Sequence, residues 1–126
     1  MTFPHPSLLI VDDDPDICQA LTDLFEYDHY LVKTVGTGAE AVANAMQCHF
    51  DAAILDLGLP DADGLTVFRK LMEVAPDLPV VILTAFNTEE RRTESYHQGV
   101  AAYLTKPYDK EVLKATLNHA MGRTHQ

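Results

Sequence analysis

LLIVDD at residues 8–13 is the stretch that decides the fold, and AAILD at residues 52–56 repeats its design. Each is a short apolar run that ends in aspartate, and runs of this length bounded by turn residues are typical of buried strands. A carboxylate is costly to remove from water unless it is paired. If the two strands are neighbours in a parallel sheet, Asp12, Asp13 and Asp56 meet at one edge, where their mutual repulsion favours a bound cation.

Strand and helix patterns alternate along the whole chain. Asp14 is a suitable N-cap with Pro15 in the first helical position, and Thr37 to Glu40 has the spacing of a capping box. Gly99 is a natural residue to follow the end of a helix. The predicted strands are residues 8–11, 30–35, 51–55, 80–83 and 101–104, and the predicted helices begin near residues 15, 37, 65, 88 and 109.

This alternation predicts an α/β fold with a parallel sheet that is covered on both faces. Five strands are too few for an eight-stranded barrel, so we expect an open, doubly wound (βα)5 sandwich of the flavodoxin-like type, with strand order 2-1-3-4-5. Such sheets bind ligands at the carboxyl ends of the strands where the strand order reverses, between strands one and three. The two aspartate-terminated strands are the ones that meet there.

The composition fits one folded domain of 126 residues and argues against several classes of function. A net charge of −10 has the wrong sign for a nucleic-acid surface or for an anionic membrane. No apolar run approaches the ~20 residues needed to span a bilayer and no signal peptide is recognisable, so a cytoplasmic protein is expected. Cys18 and Cys48 lack metal-ligand spacing and are expected to be reduced and partly buried.

The fourth helix, from Thr88 to Gln98, differs from the others because nearly all of its side chains are polar. Tyr96 is the one residue that we expect to anchor it in the core. A helix with so little apolar surface is weakly held, which makes it either a mobile element or simply a solvated helix.

Four short motifs lie at the ends of successive predicted strands. They are Asp12-Asp13 after strand one, Asp56 after strand three, Thr84-Ala85 after strand four and Lys106-Pro107 after strand five. In this order they resemble the receiver domain of bacterial two-component response regulators, including the chemotaxis regulators. The loop from Asp56 to Gly64 is similar to the D-x-x-x-P-x-x-x-G loop of that family. The resemblance covers about residues 8–121, the core of a single domain at residues 1–126.

The resemblance implies a phosphoacceptor function. In this family the aspartate that matches Asp56 accepts a phosphoryl group from a phosphohistidine on a histidine kinase or a phosphotransfer protein, in an in-line displacement. Mg²⁺ or Mn²⁺ would be bound by Asp13 directly, by Asp12 largely through water, by Asp56 and by the backbone carbonyl of Gly58. The alternative interpretation of Asp12 and Asp13 is an acidic turn that caps a helix.

The resemblance also implies roles for residues after strands four and five. Lys106 would pair with a phosphoryl oxygen, and with Asp56 at rest, and its peptide bond to Pro107 is expected to be cis. The Thr84 hydroxyl and the backbone N–H of Ala85 would bind the phosphoryl group. Without a site, Lys106 and Thr84 would be a solvated lysine and an ordinary strand-end threonine.

Three further positions are expected to affect switching and the lifetime of the phosphoryl group. Tyr103 would rotate inward as Thr84 moves, so that the face formed by helix four, strand five and helix five responds. The alternative is a static, half-exposed tyrosine. Gly58, two residues after Asp56, and Phe86 occupy positions that tune hydrolysis in the family, and we expect slow-to-moderate self-dephosphorylation.

The sequence therefore predicts a phosphorylation-switched signalling domain that turns over no separate substrate. A phosphorylation-independent interaction module of the same fold is the main alternative. A haloacid-dehalogenase-like phosphatase is a poor match, because Asp16 stands where those enzymes have Thr or Val. An effector domain in a longer chain, a separate output partner and a weak phosphorylation-dependent dimer are all compatible with these residues, which identify neither the kinase nor its stimulus.

Overall fold

The computed structural model describes residues 5–122, and all ten expected helices and strands lie within them. The strands are β1 (Ser7–Val11), β2 (Leu31–Val35), β3 (Ala52–Leu55), β4 (Val80–Thr84) and β5 (Ala102–Thr105). The helices are α1 (Pro15–Tyr27), α2 (Gly38–Gln47), α3 (Gly64–Val74), α4 (Glu89–Gln98) and α5 (Lys110–Ala120). None of these described helices is both long and apolar enough to cross a bilayer. Residues 1–4 and 123–126 of the expected single domain lie outside the described residues.

The strands form one parallel sheet in the order β2-β1-β3-β4-β5, which confirms the flavodoxin-like (βα)5 prediction. β1 and β3 are neighbours, and Val11 lies beside Leu55 in their register. The next residue of each strand therefore emerges at the same edge of the sheet. The backbone N–H of Asp56 also donates to the Val11 carbonyl over 3.0 Å, so the strand pairing itself fixes the position of this aspartate.

Apolar side chains cover both faces of the sheet, as buried parallel strands require. Successive strand residues point to opposite faces. Leu9 and Leu55 pack under α2 and α3, and Ile10 and Ile54 pack under α1 and α5. Each fully buried side chain of this size stabilises the fold by roughly 2 kcal/mol, so packing holds the strand ends in place while polar residues follow them.

α4 is attached mainly through polar contacts. Ser95 is its buried residue, and the Ser95 hydroxyl donates to the Arg91 carbonyl over 2.7 Å. The prediction that Tyr96 anchors α4 in the core was wrong, because its side chain is 46% exposed. The Tyr96 hydroxyl instead accepts a hydrogen bond of 3.0 Å from the backbone N–H of Tyr103. An amphipathic tyrosine can join two elements in this way without entering the core.

Both cysteines are free thiols, and their surroundings differ. Cys18 is partly buried in α1, and its thiol donates to the Asp12 carbonyl over 3.2 Å. Cys48 is exposed, contrary to the prediction, because it lies just beyond the last turn of α2 rather than on the inner face of that helix.

An aspartate in the loop after β3 caps α2. The Asp61 carboxylate accepts hydrogen bonds from the backbone N–H groups of Gly38 at 2.9 Å and Ala39 at 3.1 Å. These groups open the helix and have no acceptor within it, and the helix dipole favours an anion there. The two hydrogen bonds hold the pKa of Asp61 below its ordinary value.

Asp61→Asn is expected to destabilise the protein modestly at neutral pH and less in acid. Because the folded pKa lies below the unfolded value of 3.8, ionised Asp61 stabilises the fold above that pH, and this contribution disappears as the pH falls through the folded pKa. Urea unfolding midpoints of the two proteins should differ at about pH 6 and converge as the pH is lowered below about 4. A difference that is the same at every pH would contradict this account.

Candidate functional site

Three carboxylates lie together at the carboxyl edge of β1 and β3. Asp12 and Asp13 follow β1, Asp56 follows β3, and each offers one oxygen within 4.8 Å of the others. Asp12 and Asp56 are only 4% and 8% exposed, whereas Asp13 is open to solvent. The cluster therefore has two buried carboxylates at its base and a third at its mouth.

A lysine ammonium bridges the two buried carboxylates. Lys106 follows β5, and its Nζ lies 2.7 Å from Asp12 Oδ2 and 3.0 Å from Asp56 Oδ2. Asp56 was the predicted partner of this lysine, and Asp12 is a second partner because it lies at the same edge of the sheet. Burial lowers the pKa of Lys106, but the hydrogen bonds to both carboxylates outweigh burial and raise it overall. The lysine therefore remains a cation in the site.

The backbone around Lys106 is tied to the neighbouring strand. Its N–H donates to the Thr84 carbonyl over 2.9 Å, so the ends of β4 and β5 stay side by side. The peptide bond between Lys106 and Pro107 is cis, as predicted. The hydrogen bond between Lys106 and Thr84 fixes the point from which the lysine side chain crosses to the aspartates.

The pKa values of the two buried aspartates are shifted in opposite directions. Burial raises the pKa of Asp56, but polar groups of Gly58, Thr84 and Lys106 together lower it below its ordinary value. The Gly58 N–H lies 3.0 Å from Asp56 Oδ1. Burial raises the pKa of Asp12, and it remains raised despite the contact with Lys106. The fold thus favours the ionised form of Asp56, which is the form that a nucleophile needs.

The end of β4 contributes a hydroxyl beside Asp56. Thr84 is fully buried, and its hydroxyl helps to lower the pKa of the Asp56 carboxylate. The same oxygen accepts a hydrogen bond of 3.4 Å from the backbone N–H of Phe86. Ala85, between them, is exposed and small, so it leaves this side of the site accessible.

Tyr103 already points inward and is 2% exposed. This fits neither the alternative of a half-exposed tyrosine nor the prediction that the side chain starts outside and rotates inward. Its hydroxyl donates to the Phe86 carbonyl over 2.7 Å. The guanidinium carbon of Arg92 lies 5.0 Å from the centroid of the Tyr103 ring, and Arg92 Nη1 donates to the Tyr103 carbonyl over 3.2 Å. The ring therefore joins the segment after Thr84 to both α4 and β5.

The arginines of α4 make contacts that were not predicted from the sequence. Besides the contacts of Arg92, Arg91 lies over the Phe86 ring and pairs with Asp63 in the loop after β3. Two adjacent arginines in a helix that begins with two glutamates were a signal that this face contacts other parts of the chain. Their partners are distant in sequence and could not be identified from it.

This sheet and edge define a class of protein, the signalling domains that carry a phosphoryl group on aspartate. The ionised Asp56 lies among hydrogen-bond donors, beside a lysine and two further carboxylates. The family model for the response regulator receiver domain matches residues 8–118. The chain belongs to this family.

The curated relatives that the chain matches are longer proteins. The transcriptional regulatory protein ZraR of Escherichia coli strain K12 is 32% identical over 125 residues, which are 99% of this chain and 28% of that protein. The chain spans from 27% to 50% of the length of the first curated relatives that it matches.

Two solved structures of receiver domains are close to this fold. The CheY-like receiver domain protein from Methanospirillum hungatei JF-1 has a TM-score of 0.90 at 26% identity, covering 94% of this chain and 95% of that chain. The receiver domain of sensor histidine kinase PA1611 from Pseudomonas aeruginosa PAO1 has a TM-score of 0.85 at 27% identity, covering 94% of this chain and 99% of that chain. The latter was solved with a magnesium ion coordinated in its active site cleft.

Proposed function

We propose that this receiver domain accepts a phosphoryl group on Asp56 from a histidine kinase or a phosphotransfer protein. The observation that supports this most strongly is the environment of Asp56. It is buried, its pKa is lowered, and its Oδ2 lies 3.0 Å from the Lys106 ammonium. A carboxylate kept ionised next to a lysine ammonium is suited to attack phosphorus and then to carry the added charge.

The proposed transfer needs few groups from the protein. An Asp56 oxygen bonds to phosphorus, the bond from phosphorus to the donor nitrogen breaks, and the nitrogen leaves with the electron pair. Lys106 then pairs with a phosphoryl oxygen as a point charge. The Thr84 hydroxyl and the Ala85 N–H bind the other phosphoryl oxygens, so three groups from β4 and β5 orient the phosphoryl group.

The acidic cluster fits a hard divalent cation. Asp12, Asp13 and Asp56 are charged oxygen donors within 4.8 Å of one another, and Asp13 is open to solvent. We propose that these residues, with the Gly58 carbonyl, hold Mg²⁺ or Mn²⁺. The cation supplies positive charge to the carboxylates and to the phosphoryl oxygens when it is bound. The magnesium in the similar PA1611 receiver domain supports this choice.

We propose that phosphorylation is read out by the face formed by α4, β5 and α5. A shift of Thr84 toward the phosphoryl group would move the backbone carbonyl of Phe86. The Tyr103 hydroxyl donates a hydrogen bond of 2.7 Å to that carbonyl. Tyr103 and α4 would then repack together, because α4 has little apolar surface to resist the change. This face is also the proposed site of a weak phosphorylation-dependent dimer.

The domain would promote its own phosphorylation and dephosphorylation in the cytoplasm and turn over no separate substrate. An output domain in a longer chain is proposed from ZraR, a transcriptional regulatory protein of which this chain spans 28%. Any contact with nucleic acid would then belong to that output domain, because a chain with net charge −10 repels phosphates.

The test is incubation with acetyl phosphate, with and without Mg²⁺, followed by intact mass measurement. We expect one added phosphoryl group, and only when the cation is present. A folded protein that binds Mg²⁺ and acquires no phosphoryl group would favour the alternative, a phosphorylation-independent interaction module.

A further inference from the structure

Arg91 connects α4 to the loop that follows Asp56. Its Nη2 lies 2.7 Å from Asp63 Oδ1, and its Nη1 lies 3.7 Å from Glu94 Oε1 on the same helix. Its guanidinium carbon lies 5.5 Å from the centroid of the Phe86 ring. Arg91 is therefore held by two carboxylates while the guanidinium covers an aromatic ring.

The Phe86 ring lies beside the acceptor carboxylate. A Cβ atom added to Gly58 would lie 3.3 Å from Phe86 Cε2 and 3.8 Å from Asp56 Oδ1. The ring thus borders the space next to Asp56 that a side chain at position 58 would enter. Phe86 is 47% exposed and belongs to neither core cluster among the described residues, so core packing does not fix its ring.

We propose that Arg91 is a positioning residue that holds the Phe86 ring at the rim of the site and thereby lengthens the life of the phosphoryl group on Asp56. This inference rests on the proposed function of Asp56. Arg91 touches neither the acceptor nor the phosphoryl group, so its effect on the reaction passes through the ring.

Hydrolysis is the step on which the ring acts. A water oxygen bonds to phosphorus, the bond from phosphorus to the Asp56 oxygen breaks, and the carboxylate leaves with the bonding electrons. Dihydrogen phosphate departs with both protons of the water. The water must approach in line with the breaking bond, and an apolar ring fixed at the rim of the site reduces that approach.

The chemistry of arginine suits this role better than that of lysine. A planar guanidinium can cover an aromatic face and pair with a carboxylate in its own plane, whereas an ammonium is a compact, strongly hydrated point charge. Arg91→Lys therefore keeps the charge opposite Asp63 but loses much of the contact with the ring. This variant separates the position of Phe86 from the general effect of a positive charge near the site.

The experiment measures the lifetime of the phosphoryl group. Wild type, Arg91→Ala and Arg91→Lys are phosphorylated with acetyl phosphate and Mg²⁺, the donor is removed, and the adduct is followed by intact mass. Loss of a cation–π contact and an exposed ion pair should shorten the lifetime roughly threefold in Arg91→Ala, with Arg91→Lys intermediate. Arg69→Ala is the matched control, since Arg69 Nη1 donates to Gln98 Oε1 of α4 over 3.1 Å, and its lifetime should equal that of wild type.

A second pair of variants tests whether Arg91 acts through the ring. In a Phe86→Ala background, adding Arg91→Ala should produce no further change in lifetime. An equal effect of Arg91→Ala with and without Phe86 would overturn the inference, as would equal lifetimes of wild type and Arg91→Ala. Absence of any adduct on wild type would overturn the proposed function as well, so the two failures are distinguishable.

Discussion

Asp56→Asn is expected to acquire no phosphoryl group from acetyl phosphate, with or without Mg²⁺, under conditions in which wild type is fully modified. The reason is the loss of the nucleophile, because a neutral amide oxygen attacks phosphorus far more weakly than a carboxylate does. Intact mass would show one added phosphoryl group on wild type and none on the variant. This is the largest effect on activity that we expect from a single substitution.

The fold should survive this change. Asparagine has almost the same shape and can still accept the hydrogen bond of 3.0 Å from the Gly58 N–H. Lys106 keeps its contact of 2.7 Å with Asp12, so the buried ammonium is not left unpaired. The thermal midpoint should therefore be close to that of wild type, which separates a lost acceptor from a lost structure.

Asp14→Asn is the matched control for the acidic run. Asp14 is exposed and caps α1 by accepting a hydrogen bond of 2.9 Å from the Asp16 N–H, and asparagine is an equally good cap. Its uptake of phosphoryl groups should match that of wild type. Full modification of Asp56→Asn would contradict the assignment of Asp56 as the acceptor. It would indicate that another carboxylate of the cluster accepts the phosphoryl group.

The fold and the meeting of the carboxylates could be predicted from sequence because both follow from local pattern and topology. Apolar runs fixed β1 and β3 as buried strands, and the reversal of strand order made them neighbours. Asp12 and Asp56 each follow directly on such a run, so an error of one residue in either boundary would still leave them at the same edge. Packing of the strands, rather than attraction between the polar groups, brings them together.

The difference between the two buried aspartates could not be predicted in this way. Both follow a buried strand, so the sequence treats them alike. Their pKa values move in opposite directions because polar groups of Gly58 and Thr84 favour the ionised form of Asp56, whereas burial dominates at Asp12. Gly58 lies in the loop after β3 and Thr84 ends β4. Whether their polar groups reach Asp56 depends on the exact positions of these two backbone segments.

The polar contacts that attach α4 to the rest of the domain also could not be predicted from the sequence. Arg91 and Asp63 are 28 residues apart, and neither position marks the other as a partner. Tyr96 was predicted to be a core residue because an aromatic residue in a polar helix usually makes the contact of that helix with the core. Here the Tyr96 hydroxyl instead accepts a hydrogen bond from the backbone of β5. Contacts between side chains of distant segments carry no periodic signal in the chain.

Gly64→Ala is expected to give the largest loss of stability among these substitutions. A Cβ at this position would overlap the Cα of Leu57 and lie 2.8 Å from Leu57 Cδ2 and 2.9 Å from the Asp56 carbonyl oxygen. Two of these atoms are backbone at the end of β3, so no side-chain rotation relieves the overlap. Forcing α3 away from β3 should cost about 2–4 kcal/mol of unfolding free energy, measured by urea denaturation.

The same substitution should slow phosphorylation because the displaced backbone carries the acceptor. The Gly64 N–H donates to the Leu57 carbonyl over 3.0 Å, so the start of α3 sets the position of the residue next to Asp56. A shift of that segment moves the nucleophile relative to Lys106, and a misplacement of ~1 Å can cost up to about a hundredfold in rate. We expect at least a tenfold slower reaction with acetyl phosphate.

Gly36→Ala is the matched control, because it also lies beside the acidic cluster and has room for a side chain. Its added Cβ would meet Asp13 Cα at 3.8 Å and the Asp12 carbonyl oxygen at 3.9 Å, which are ordinary contacts. Its stability should be close to that of wild type. If Gly64→Ala were equally stable, the start of α3 would not constrain the end of β3. A measured loss of stability in Gly64→Ala would give the glycine at this position a steric reason. Only a residue without a side chain lets α3 begin close enough to Leu57 to hold Asp56 in place.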